Sequence, residues 1–237
     1  MALSTPTLGV GLHLNIVRGT PLSAPDKVPL LTGADGRFRS FRLARLSPAF
    51  LTQAEREYRR QFEKFLAAGP RPTHIDFEKH HAWQAPLYSL ACRLAAEYGV
   101  TAVRNLREPV AWAIRAMGWP GAGKAAMAAM LRCGISLGLA KPAGIARPAR
   151  LLGQAHIGAM DESAWLKLLE KLPSGISEVM THPGEREGST SDNGPMGASW
   201  MDDARERELT ALVSPRVGEA VRRRSIRLLA FFGLPRG

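Results

Sequence analysis

The chain has 237 residues, 45% of them hydrophobic, and a formal net charge of +11. That length supports a sizeable core, and no run of about 18 uncharged apolar residues is present to span a bilayer. The N-terminus MALSTPTLGVGLHLN lacks the basic start and apolar run of a signal peptide.

Cys92 and Cys133 are the two cysteines. They give no disulfide framework and no cysteine zinc site, so a reducing cytoplasm is expected. The basic residues are mostly arginine and run from Arg18 to Arg236, densest at Arg37–Arg45 and Arg222–Arg224. No nucleic-acid motif accompanies them and no aromatics interleave with them, so nucleic acid is not an expected partner. Loose peripheral contact with an anionic membrane surface, the inner membrane, remains consistent with the charge.

In chain order, Leu8 to Val17 (LGVGLHLNIV) alternates and reads as a strand carrying His13. Pro21 to Gly36 is loop. Ser47-Pro48 starts a helix, with Ser as cap and Pro as first helical residue; Phe50, Leu51, Ala54, Tyr58, Phe62, Phe65 and Leu66 recur at helical spacing, and Gly69-Pro70 stops it. Pro72 to His81 (PTHIDFEKHH) follows as a second strand with a polar end, holding three of the six histidines, an Asp and a Glu. Pro86 to Tyr98 is an amphipathic helix stopped by Gly99, and Thr101 to Leu106 is a third strand. Helix–strand–helix–strand order marks a parallel α/β sheet or barrel.

Ala111 to Met117 reads as a helix. Lys124 to Ala140 is apolar and Gly-broken, either a core helix or a flap over a lipid-like substrate. Leu151 to Ile157 is a short strand, Asp161 caps a helix with Ala164, Trp165, Leu168, Leu169 and Leu172 inward, and Ile176 to His182 is a strand ending in histidine. Gly184 to Ser199 is loop, Asp203 to Leu212 a helix, Ser214-Pro215 starts another, and Ile226 to Phe232 reads as a last buried strand.

Three predicted strands thus end in histidine: His13, the His74–His81 cluster and His182. In α/β barrels the functional groups sit at the C-terminal strand ends, so the three are expected to converge on one rim. Such a rim suits a metal-assisted hydrolase, in which a cation polarises a carbonyl and a nearby His or Asp moves protons. Arg104 ends the third strand and is read either as a substrate ligand or as a salt bridge to Glu108. His156 is a rim candidate. Trp83 and Trp112 offer either a sugar-stacking face or core packing, and Asp202-Asp203 is assigned to helix capping.

The motifs GLHLN at 11–15, PTHID with a further His at 72–80, AVR at 102–104 and SEVMTHPG at 177–184 resemble the YdjC-like carbohydrate deacetylase family. Glu78-Lys79-His80, Arg104 to Pro109 and Arg205 to Leu209 bring the resemblance closest to its hopanoid-biosynthesis-associated branch. It covers residues 8 to 232 in order.

The resemblance implies a barrel-like parallel (β/α) sheet surrounded by helices, as a single domain over 1–237. It implies a divalent metal, Mg2+ or Zn2+, and removal of an acetyl group from an N-acetylated amino sugar, including one carried on a hopanoid glycolipid. Residue by residue, His13 falls on a metal ligand, Glu78 on the position of a second ligand His, and His182 on the proton-donating His. His80 is a supporting ligand candidate, Asp76 the nearest base, and Arg104 and His74 the substrate-binding candidates.

The family's opening strand with its Asp-Asp pair has no counterpart here, since no Asp precedes Asp26. The sheet would therefore lack the family's first strand, and its exposed edge would either leave the fold marginal or close by pairing with a second copy, as a homodimer. Either the chain is truncated, or it is a degenerate family member that binds a sugar or a protein.

Overall fold

The computed structural model describes residues 4–5, 7–39, 46–121, 144–185 and 199–235. The expectations for 124–140, for most of the 184–199 loop, for Cys133 and for the ring of Trp83 lie outside the described residues. In chain order the elements are β1 (Gly11–Leu14), α1 (Pro48–Ala67), β2 (His74–Phe77), α2 (Ala85–Glu97), α3 (Val110–Met117), β3 (Arg150–Leu152), α4 (Glu162–Glu170), β4 (Ser177–Val179), α5 (Ser199–Leu212) and α6 (Pro215–Arg223). Short 3₁₀ turns occupy Pro25–Lys27, Glu78–Trp83 and Phe231–Gly233. Helices alternate with parallel strands, the α/β class expected from the sequence.

The described residues form two compact units. The first draws on the described residues within 1–106, 133–148 and 229–237, the second on those within 107–132 and 149–228.

In the first unit β1 and β2 run parallel with Leu12 opposite Ile75, His13 opposite Asp76 and Leu14 opposite Phe77. Ile75 bridges to Val103 and Ala102 to Ala146, both parallel. Side chains alternate across a strand. Leu12, Leu14, Ile75 and Phe77 therefore enter the core, while His13 and Asp76 share the other face.

α1 starts where the sequence places it: Ser47 Oγ accepts the Phe50 N–H at 3.2 Å and Pro48 is the first helical residue. Phe50, Ala54, Tyr58 and Phe62, four apart, are its buried stripe, and Gly69 at φ 102° lets the chain leave the helix. α2 packs against the same core through Leu87, Leu90, Ala91 and Leu94. Each of the larger side chains contributes about 1.5–3 kcal/mol by leaving water.

In the second unit β3 and β4 are parallel, with Leu151 opposite Glu178. A separate apolar cluster joins Leu152, Met160, Leu168, Leu169, Val217 and Ala220. Asp161 Oδ1 caps α4 by accepting the Ala164 N–H at 2.9 Å, and Ser214 Oγ caps α6 by accepting from Arg216 and Val217. Trp112 packs partly buried against this cluster, which settles its two readings in favour of packing.

Three expectations need correction. Thr101 to Leu106 makes only the single bridges at Ala102 and Val103. α5 begins at Ser199, so Asp202 and Asp203 lie inside the helix and not at its cap. Ile226 to Phe232 is not a buried strand: Leu228 is 79% exposed and Phe232 56% exposed, and the segment ends in the Phe231–Gly233 turn. Ser225, at φ 50°, turns the chain out of α6, and the apolar residues that follow find no strand partner among the described residues.

Candidate functional site

Three neighbouring segments of the first unit place one polar residue each on the same sheet face. His13 and Asp76 are directly opposite in the β1–β2 register. Arg104 is held one step further across, where its N–H donates to the Ile75 carbonyl at 3.0 Å. The side chains then form a row. His13 Nδ1–H donates to Asp76 Oδ1 at 2.7 Å, and an Arg104 guanidinium nitrogen reaches Asp76 Oδ2 at 2.7 Å. Arg104 therefore pairs with Asp76; the Glu108 carboxylate, in the second unit, accepts the Ala155 N–H.

Glu78 stands just past the end of β2, and His13 Nε2 meets its Oε2 at 3.0 Å. Both ring nitrogens of His13 thus face carboxylates, and half of its side chain is open to solvent. Arg18 adds a long contact to the other Glu78 oxygen at 3.9 Å.

These contacts set the charges. Burial alone would lower the His13 pKa, but the hydrogen bonds and charges of Asp76 and Glu78 outweigh it and push it up to about 9. Burial would raise Asp76, yet the His13 hydrogen bond and the Arg104 charge hold it below the usual carboxylate value. The His13 hydrogen bond likewise keeps Glu78 low. The two carboxylates favour the protonated form of His13 between them. Both Asp76 oxygens are taken, which suits orienting His13 better than accepting a proton from water.

The strand does not continue through the rest of the motif. β2 stops at Phe77, and Lys79 and His80 adopt left-handed conformations at φ 49° and 52°. His80, expected on the same strand face as Glu78, sits on this turn instead. The turn is pinned from below by His81, which lies in the core: Tyr58 O–H donates to His81 Nε2 at 2.5 Å, and His81 Nδ1–H donates to the Glu78 carbonyl at 2.9 Å. Burial pushes His81 down to about 4, which favours the neutral tautomer those bonds require.

His74 is enclosed. Its ring stacks on Phe231 with centroids 3.7 Å apart, and Thr73 Oγ1 lies 3.0 Å from its Nδ1. A Cβ on Gly11 would come within 2.3 Å of His74 Nε2, so the glycine of GLHLN is the clearance for this ring. Burial lowers His74 to about 4.

The motif's Asn15 is a turn-former. Its Oδ1 accepts the Val17 and Arg18 N–H groups, while Gln61 of α1 bonds both its backbone N–H and its carbonyl. Glu57, fully buried one turn earlier, accepts the Leu22 and Ser23 N–H groups. The sequence reading missed Glu57, and it counted His81 in the cluster at the strand end, whereas its ring lies in the core. The available signal for Glu57 was a carboxylate next to the buried Tyr58 in α1.

The remaining candidates belong to the second unit. His182 follows β4 by three residues and its N–H donates to Glu208 Oε2 at 2.5 Å. His156 is buried, with Nε2 3.0 Å from the Gly118 carbonyl.

A divalent cation needs converging donors. His13 Nε2 and Glu78 Oε2 converge, and Asp76 on Nδ1 is the outer carboxylate that commonly orients a metal-bound imidazole. Among the described residues no group of three or more His, Cys, Asp or Glu side chains is arranged to hold an ion. The residues present fit two coordination positions, leaving the others to water or substrate as hydrated magnesium uses them.

The model of the family described as YdjC-like protein matches residues 1–223. A Brevibacillus brevis protein named carbohydrate deacetylase is 41% identical over 100 residues, covering 42% of this chain and 39% of that protein. One of the same name from Oceanobacillus iheyensis is 39% identical over 103 residues, covering 42% and 43%. These two alignments thus take in less than half of either relative. A Listeria welshimeri protein, also named carbohydrate deacetylase, is 29% identical over 236 residues, covering 98% of this chain and 76% of its own length. The crystal structure of a putative cellobiose-phosphate cleavage protein from Enterococcus faecalis superposes with a TM-score of 0.69 at 23% identity, over 97% of this chain and 79% of that one, which bears on the fold alone. With nearly its whole length matched, the chain belongs to the YdjC-like family.

Proposed function

We propose that the chain is a carbohydrate N-deacetylase, hydrolysing the acetamide of an N-acetylated amino sugar to acetate and a free amine. The observation that carries this reading is the His13–Asp76–Arg104 row closed by Glu78 at the C-terminal strand ends, together with relatives named for that activity. Asp76 fixes the His13 ring and ties down Arg104. Arg104 is the substrate-binding candidate for the hydroxyls or carbonyl of a sugar, with His74 two residues before Asp76 on β2. A divalent cation, Mg2+ or Zn2+, would be held by His13 and Glu78, with His80 as a supporting candidate, and when bound supplies carbonyl polarisation and a more acidic water. His182 is assigned, from the family resemblance, as the proton donor to the departing nitrogen.

The finer substrate class follows the sequence motifs. Glu78-Lys79-His80 and Arg205 to Leu209 support a hopanoid glycolipid carrying an N-acetylhexosamine, handled in the cytoplasm at the inner membrane surface. β1 has β2 on one side only among the described residues, which supports pairing with a second copy.

The test is acetate release from N,N′-diacetylchitobiose by the full chain with added Mg2+ or Zn2+. Wild type should turn over, and His13→Ala and His182→Ala should each lose about 100-fold or more. Absence of acetate from wild type with either metal, or equal rates in wild type and His182→Ala, would overturn the assignment.

A further inference from the structure

Within the second unit a buried carboxylate joins two loops that follow parallel strands. Glu208 lies on α5, is 1% exposed, and stands in the helix's inward stripe with Ala204 and Ala211. Its Oε1 accepts the Gly158 N–H at 3.1 Å, in the loop after β3. Its Oε2 accepts the His182 N–H at 2.5 Å, in the loop after β4. One turn earlier on the same helix the Arg205 carbonyl accepts the Gly184 N–H at 3.2 Å. The Arg205 guanidinium lies so close over Gly184 that a Cβ there would meet it at 2.8 Å. The His182-Pro183-Gly184 corner is therefore fastened to α5 at both ends.

A carboxylate spends its solvation when it is buried, and that cost is offset only by good donors. Surface solvation does not explain Glu208: both of its oxygens are used, and both partners are backbone N–H groups in irregular segments. A main-chain N–H bond fixes the Cα on which an imidazole is mounted, and an error of about 1 Å in a reacting group can cost on the order of 100-fold in rate.

We infer that Glu208 is a positioning residue for His182, holding the backbone of the histidine loop so that the imidazole is presented in one place. This rests on the deacetylase reading of His182 given above. Glu208 touches neither substrate nor reacting atoms; it acts through the loop. Glutamine at this position keeps one acceptor oxygen but turns an NH2 donor toward the second backbone N–H, so it should release one loop or the other without opening a cavity. Alanine releases both and leaves a void.

Two measurements on the full chain separate this inference from the reading it rests on. In the first, acetate release from N,N′-diacetylchitobiose is followed for wild type, Glu208→Gln, Glu208→Ala and a surface control, Glu219→Gln. Glu208→Gln is expected to lose about 10–100-fold in kcat with KM within about twofold, while the control matches wild type. A Glu208→Gln enzyme with wild-type kcat overturns the inference, as does a loss confined to KM. A merely structural role would lower the melting temperature of Glu208→Gln and leave kcat untouched below it.

The second measurement needs no turnover. Amide hydrogen exchange at His182 and Gly158 is compared in wild type and both variants, with the amides of α4 as internal reference. Faster exchange by about tenfold or more at His182, with the α4 amides unchanged, supports the clamp. Unchanged exchange at His182 overturns it. If wild type releases no acetate, the functional reading falls, and the exchange result alone still decides whether Glu208 holds the histidine loop.

Discussion

At the scale of single residues the site is governed by one imidazole between two carboxylates. His13 protonates more readily in the fold than in a free chain, about 9 against 6.5. The folded chain therefore binds the extra proton more tightly across that window. The stability this brings is fully present below pH 6.5 and is lost as the pH rises to about 9. NMR titration of the His13 ring in EDTA-treated protein should show the raised pKa, and Asp76→Asn should bring it back toward 6.5, since the larger of its two hydrogen-bonded charges is gone. A titration near 6.5 in wild type would contradict the geometry. The same substitution leaves Arg104 without its largely buried carboxylate, a change that costs about 3 kcal/mol in comparable pairs, measurable by urea unfolding. Of this row, the sequence disclosed the residue types and their strand positions. It did not disclose that Arg104 would pair with Asp76, because the two are far apart in the chain and pairing across strands is invisible to local spacing. Gly11 is a similar case: only the register, which sets His74 opposite it, explains why no larger side chain fits there.

Among the elements, the helices were legible and the loops were not. Ser47, Asp161 and Ser214 announce their helices because capping is local chemistry, and Ser47→Ala should cost about 1 kcal/mol by chemical denaturation. What holds the loops is a set of buried glutamates whose partners lie far off in sequence: Glu57 for residues 22–23, Glu108 for the loop after β3, and Glu208 for Gly158 and His182. In a sequence each reads as an ordinary charged residue. Glu108 gives a test with a defined sign. Its burial outweighs the backbone N–H groups of Ala155, Gly153 and Gln154 and pushes its pKa up to about 7 from 4.5. The folded state then holds the proton more tightly, so this contribution is largest below pH 4.5 and disappears as the pH climbs to about 7, a change on the order of 3 kcal/mol. Glu108→Gln should remove that slope from a plot of unfolding free energy against pH between 4.5 and 7. A variant whose slope matches wild type would mean that Glu108 is ionised throughout.

Over the whole molecule, the parallel α/β class was readable because helical and strand periodicities alternate along the chain. Strand lengths were overestimated: strands of three or four residues end where their partner ends, and the apolar pattern of Ile226 to Phe232 continues without one. Net charge is the other property that belongs to the entire chain. At +11 it attracts any anionic surface, but many arginines are already engaged. Arg59 and Arg93 join Glu55 and Glu97 between α1 and α2, Arg216 pairs with Glu162 and Arg222 with Glu219. No helix of the described residues is long and apolar enough to cross a membrane. A lipid contact made through the arginines should be electrostatic. Co-sedimentation with phosphatidylglycerol vesicles should be seen at about 0.05 M salt, should be absent with phosphatidylcholine, and should vanish toward 1 M, where the screening length falls to about 3 Å. Vesicle binding that survives 1 M salt would instead require insertion of apolar side chains, and would move the membrane contact from the arginines to exposed groups such as Leu228 and Phe232.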